Sequence, residues 1–196
     1  MKILFKPQTE WLPPEEFKDL SSYDEIAIDL ETKDPNLKTM GSGSVTGQAK
    51  IVGIALAVEG WSAYYPIAHE GGGNMDRKKV MDYFRTILNY PSKKIFHNAM
   101  YDVCFIRAEG LKINGTIIDT MISGSLVDEN RFRYDLGSMG RDYVGRGKNE
   151  AVLLETAKEW GIDPKSEMYK LPAMDVGEYA EQDAKLTLEL WQEMKK

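Results

Sequence analysis

In the run Glu25-Ile26-Ala27-Ile28-Asp29-Leu30-Glu31, apolar Ile26, Ile28 and Leu30 recur at every second position. That alternation and the β-branched content predict a strand, closed by Lys33-Asp34-Pro35. Ile51 to Val58 and Trp61 to Ile67 predict two more strands around a turn at Glu59-Gly60. Asp34 to Lys50, polar and holding Gly41-Ser42-Gly43-Ser44, reads as a loop. Met75 to Leu88 switches to helical spacing, with Met75, Val80, Met81, Phe84, Ile87 and Leu88 on one side. A short strand, Lys93 to His97, follows. Asn98 then predicts the N-cap of a helix that runs to Glu109 and ends at Gly110. Thr116 to Ile118 predicts a fifth strand, Asp119 to Val127 a helix, and Asp135 the cap of another reaching Tyr143. Asp175 to Lys196 reads as a long terminal helix, with no regular pattern assigned between Tyr143 and Asp175.

The order of elements, without repeat or break in composition, predicts one α/β domain over residues 1–196, with residues 1–23 as an extension packed on it. The 196 residues, 42% hydrophobic and 29% charged, exclude a disordered tail or a fibrous repeat. No apolar run approaches the ~20 residues of a membrane span, and Met1 to Phe5 lacks the apolar centre of a signal peptide. The single Cys104 forms neither an internal disulfide nor a zinc cluster, so a soluble, cytoplasmic chain is expected. A net charge of −6 does not suggest a duplex-DNA reader, which is normally basic. Binding to nucleic acid then has to be local or metal-assisted.

The informative residues are carboxylates placed where apolar side chains belong. Asp29 and Glu31 share one face of the first strand. Taken alone, the pair reads as the solvated face of an edge strand. In the terminal helix, Asp183 interrupts the stripe Val176, Ala180, Ala184, Leu190, Trp191 and Met194, one turn after Tyr179. Asp102 lies one turn into the helix after Asn98, among Val103, Cys104, Phe105 and Ile106, where the helix dipole alone can account for it. Together, four scattered oxygen ligands select hard cations such as Mg²⁺ or Mn²⁺. Two such ions can clamp the attacking and leaving oxygens of a phosphoryl displacement. There is no P-loop, nucleophile elbow or H-E-x-x-H motif to compete. His97 is read as a packing or hydrogen-bonding residue.

Asp29-Leu30-Glu31, Asn98-Ala99-Met100-Tyr101-Asp102 and Tyr179-Ala180-Glu181-Gln182-Asp183 resemble, in order, the three motifs of DEDDy-type 3′–5′ exonucleases: D-x-E, N-x-x-[FY]-D and Y-x-x-x-D. From Ile26 onward the chain most resembles the proofreading exonuclease domain of family A DNA polymerases, the bacteriophage enzymes among them. The resemblance implies a ribonuclease H-like fold, five mixed strands flanked by helices. It implies two Mg²⁺ or Mn²⁺ ions held by Asp29, Glu31, Asp102 and Asp183, with Tyr179 and Glu31 orienting the attacking water. Thr32, Asn98 and Tyr101 fall where the family contacts the terminal nucleotide. The implied substrate is the 3′ end of single-stranded or frayed DNA, with RNA trimming, or a scaffold that keeps the fold without catalysis, as alternatives. A monomer is expected, partnered by a polymerase domain in the same or a parent chain, in the cytoplasm of the host if phage-encoded.

Overall fold

A computed structural model describes residues 9–196. Its sheet has five strands in the order β3-β2-β1-β4-β5, formed by β1 (Glu25–Lys33), β2 (Lys50–Val58), β3 (Trp61–Pro66), β4 (Lys93–Phe96) and β5 (Ile117–Asp119). β1 pairs antiparallel with β2 and parallel with β4, so the sheet is mixed and β1 lies at its centre. This overturns the edge-strand reading of Asp29 and Glu31. Both faces of β1 are covered, as a central strand requires.

Ile26, Ile28 and Leu30 face a core shared with Val80, Phe84 and Ile87 of α2 (Arg77–Asn89) and Phe105 and Ile106 of α3 (Ala99–Ala108). On the opposite face Ala27, Ala55 and Ala57 leave room for the terminal helix, which packs Ala180, Ala184 and Leu188 against them. Asp29 and Glu31 point to this second face by alternation. Of the 1–23 extension, residues 1–8 lie outside the described residues. Further on, Trp11 fills the space above Gly177, where a Cβ would come within 2.2 Å of its ring, and its Nε1 donates to Glu181 at 2.8 Å.

The remaining helices are α1 (Leu37–Met40), α4 (Thr120–Val127), α5 (Leu136–Met139), α6 (Ala151–Trp160) and α7 (Ala173–Met194). α1 is a single turn inside the expected loop, and α6 occupies a stretch whose sequence pattern gave no element. α2 starts later than the apolar spacing suggests because Asp76, not a residue before Met75, accepts from Lys79 N. Asp135 caps α5 as expected, but the helix gives way at Gly140 to a wide π-turn ending at Val144. Gly140 lies against α7 there, and a Cβ would reach within 2.9 Å of Leu186.

Asn98 does not cap α3. Its backbone is left-handed at φ 66° and its side chain makes no capping bond. Asp119, at the end of β5, accepts from the N–H groups of both Asn98 and Ala99 instead. Cys104 is a free thiol, and among the described residues no helix is long and apolar enough to cross a membrane.

Candidate active site

β4 pairs only with Glu25 to Ala27 of β1, so the edge of β1 beyond Ala27 opens into a crevice at the strand ends. The first turn of α3 enters this crevice. Asp102, buried there, accepts the backbone N–H of Leu30 through Oδ1 at 3.2 Å, which places its carboxylate beside the strand between Asp29 and Glu31. From the other side α7 brings Tyr179 and Asp183 one turn apart, and Asp183 is 2% exposed. Asp29, Glu31, Thr32, Asn98, Tyr101, Tyr179 and Asp183 all line one cleft of about 720 Å³, and Asp102 is buried beside it against Leu30.

The ladder between β1 and β2 slips at Glu31/Thr32, whose partners are Gly53 and Ile51. Such a bulge re-aims the side chain that follows it. Thr32 Oγ1 lies 2.8 Å from Tyr101 Oη, linking strand to helix across the cleft mouth. Asn98 is exposed at the rim. Opposite Glu31, Gly53 leaves the space that the Tyr64 side chain occupies, since a Cβ there would lie 2.0 Å from the phenol oxygen. His69 Nδ1 faces the Leu171 carbonyl at 3.1 Å. A carbonyl can only accept, so Nδ1 carries the proton and Nε2 accepts from Tyr64 Oη at 2.6 Å. His97 is tied to Thr120 through Nδ1 at 2.9 Å, the supporting role expected of it.

Burial dominates the electrostatics. It raises Asp29 to about 7, with the Asp183 charge adding to the effect and Lys148 opposing it. Burial also raises Glu31 well above the usual carboxylate range, helped by Asp29 and Asp183. Asp102 is raised by burial and by Asp29. Asp183 is raised by burial, against the pull of Lys148. Burial pushes the Tyr179 phenol well above 10, reinforced by Asp183. Burying acids that must ionise at neutral pH works against folding, so these carboxylates are held close at a cost to the fold.

The sequence pattern gave no hint of Lys148. Its Nζ forms an ion pair with Asp183 Oδ2 and donates to Tyr179 Oη at 2.8 Å. Burial alone would lower its pKa, but the charges of Asp183, Asp29 and Glu31 raise it instead. Arg133, Arg141 and Lys165 also line the cleft, so an acidic chain presents cations where its acids converge. The only signal nearby is the pair of basic residues Arg146 and Lys148 around Gly147.

Among the described residues, no group of three or more His, Cys, Asp or Glu side chains is gathered closely enough to hold an ion as it stands. The donor set nevertheless suits a hard cation, being all carboxylate oxygen. Asp183 Oδ1 is moreover buried without a well-formed hydrogen bond, an acceptor left short of a partner.

A family model described as 3′–5′ exonuclease matches residues 6–196. A DNA-directed DNA polymerase of Pseudomonas phage M6 is 34% identical over 190 residues, covering 93% of this chain and 28% of the relative. The chain thus spans about a quarter of the length of the first curated relatives it matches. Among solved structures, Trypanosoma brucei RNase D superposes with a TM-score of 0.63 at 17% identity, covering 88% of this chain and 58% of that one. Brucella melitensis NrnC with bound Mg²⁺ gives 0.56 at 16% identity, covering 90% and 76%. Both carry the same ribonuclease H-like fold. With residues of three motifs lining one cleft and a family match over nearly its whole length, the chain belongs to the 3′–5′ exonuclease family of the family A DNA polymerases.

Proposed function

We propose that residues 1–196 form one domain that removes nucleoside monophosphates from the 3′ end of single-stranded or frayed DNA, with divalent cations held by Asp29, Glu31, Asp102 and Asp183. The observation that supports the reading is the convergence of β1, α3 and α7: Asp29, Glu31, Tyr179 and Asp183 line one cleft, and the buried Asp102 lies against the backbone of Leu30 between the first two. Bound there, Mg²⁺ or Mn²⁺ ions supply charge neutralisation at the scissile phosphate and ease deprotonation of the attacking water. Tyr179 and Glu31 orient that water, the phenol as a hydrogen-bonding group because its proton is held well past neutrality. Thr32, Tyr101 and Asn98, at the mouth, face the terminal nucleotide. Arg133, Arg141 and Lys165 neutralise phosphates further along the strand, which explains how an acidic chain accepts a polyanion.

The phage relative is a DNA polymerase about three and a half times as long as the matched region. A polymerase domain in the parent chain, working in the cytoplasm, is therefore the partner proposed. RNA is the competing substrate, since RNase D shares the fold. The test is degradation of 5′-labelled single-stranded DNA and of RNA of the same sequence, with Mg²⁺ or with EDTA. A ladder of shortened DNA, absent in EDTA and absent when the 3′ end is blocked, is expected. Internal cuts, or a clear preference for RNA, overturn the reading.

A further inference from the structure

Lys148 is held in place on both sides. Two residues before it, Arg146 pairs with Glu189 of α7 at 2.6 Å. One residue after it, Asn149 Nδ2 donates to Glu178 at 3.3 Å. The backbone is thus strapped along α7, and the lysine side chain, 25% exposed, turns inward over the Tyr179 ring at 4.9 Å from its centroid. There it meets Asp183 and Tyr179 together. Asp183 Oδ2 is occupied by the ammonium, whereas Oδ1 has no partner. A carboxylate 2% exposed carries one satisfied and one orphaned oxygen, so its present partner meets half its demand.

We propose that Lys148 is a tethered counter-cation that occupies the Asp183 carboxylate before metal loading and yields it to the incoming divalent ion, keeping its bond to the Tyr179 phenol. Lys148 is on this account a positioning residue, acting through Tyr179 and Asp183. The inference rests on the metal-dependent reading above. The geometry has two consequences. An ammonium and a divalent ion compete for one carboxylate, so loading carries an exchange cost that an uncharged residue would not impose. Without either cation, buried like charges are left face to face, and the fold loses stability.

Isothermal titration with Mn²⁺ and melting in EDTA or Mn²⁺ test this on wild type, Lys148→Met and Lys148→Arg. Lys148→Met should bind Mn²⁺ ~10-fold tighter, melt lower than wild type in EDTA, and gain more from added Mn²⁺, because ligand stabilisation grows with affinity. Lys148→Arg, which keeps the charge, should return all three quantities toward wild type. Equal or weaker Mn²⁺ binding by Lys148→Met overturns the exchange, whatever its activity. Wild type that binds no Mn²⁺ overturns the metal-dependent reading itself, so the two failures are separable. Should Lys148→Met fail to fold, ¹³Cε-lysine spectra of wild type, assigned through Lys148→Arg, follow the residue directly. Mg²⁺ must then move the Lys148 resonance, and an unmoved resonance in metal-bound protein sinks the proposal.

Discussion

Asp119 accepts the backbone N–H of Ala99 at 2.8 Å through Oδ2, while its Oδ1 takes those of Asn98 at 3.0 Å and Met121 at 2.9 Å. One carboxylate therefore starts two helices, α3 and α4, and fixes the entry of the helix that carries Asp102. Asp119→Ala should cost about 1–2 kcal/mol, the usual range for a lost N-cap. It should also slow cleavage on the order of 10-fold, because small misplacements of a reacting group are amplified in rate. Chemical denaturation and single-turnover assays check both. A variant with reduced stability and an unchanged rate would detach Asp102 from this support.

Gly53 predicts a steric outcome. Its Cβ would fall 2.0 Å from the Tyr64 oxygen and 2.4 Å from a ring carbon, with Glu31 directly across the ladder. Gly53→Ala should destabilise by about 1–3 kcal/mol, as overpacking does. Gly60→Ala is a weaker perturbation, since Gly60 has open space around it and only its φ of 75° resists a side chain. Thermal melts of the two variants rank them.

Replacing a carboxylate should separate activity from stability. Asp29→Asn and Asp183→Ala should abolish cleavage in Mg²⁺. In EDTA, Asp29→Asn should be more stable than wild type, increasingly so as pH rises. Asp29 is held at about 7 in the fold against 3.8 ordinarily, so the folded state binds its proton more tightly. Ionising it costs nothing below about 4, a growing amount between 4 and 7, and a constant amount above that. The advantage of Asp29→Asn should follow the same curve, and melting from pH 4 to 8 reads it. A difference that shrank with rising pH would contradict the burial of this acid.

Tyr179 and Asp183, one turn apart, should differ in severity. Tyr179→Phe removes an orienting bond and should slow the reaction ~10- to 100-fold, worth at most a few kcal/mol. Asp183→Ala removes a proposed metal ligand and should be far worse. Single-turnover rates at saturating Mg²⁺ decide. A Tyr179→Phe variant as inactive as Asp183→Ala would make the phenol more than an orienter.

The strands and main helices were legible from local spacing, alternation in β1 and helical stripes in α2 and α7, and the mixed sheet from the order of elements; acids at fixed offsets marked Asp29, Glu31 and Asp183, which the structure brings to one cleft. Asn98 was misread as a cap because the residue that does the capping lies twenty-one positions away on another strand. The central place of β1 depends on its pairing with β2 and β4, which alternation does not encode. Lys148 escaped for the same reason. Nothing in Arg146-Gly147-Lys148-Asn149 announces that Glu189 and Glu178 will strap it against α7.

The placement of α7 bears on how this domain is made. Its Ala180, Ala184 and Leu188 cover the second face of a sheet whose central strand begins at Glu25. During synthesis that face stays bare until the residues of α7 have left the ribosome, and contacts of such long separation form late. Asp183, Tyr179 and the helix that holds Lys148 in place arrive in the same step that closes the core. A nascent chain should therefore be unable to degrade nucleic acid at any stage before its fold is sealed, and hydrolytic competence should appear together with protease resistance rather than ahead of it.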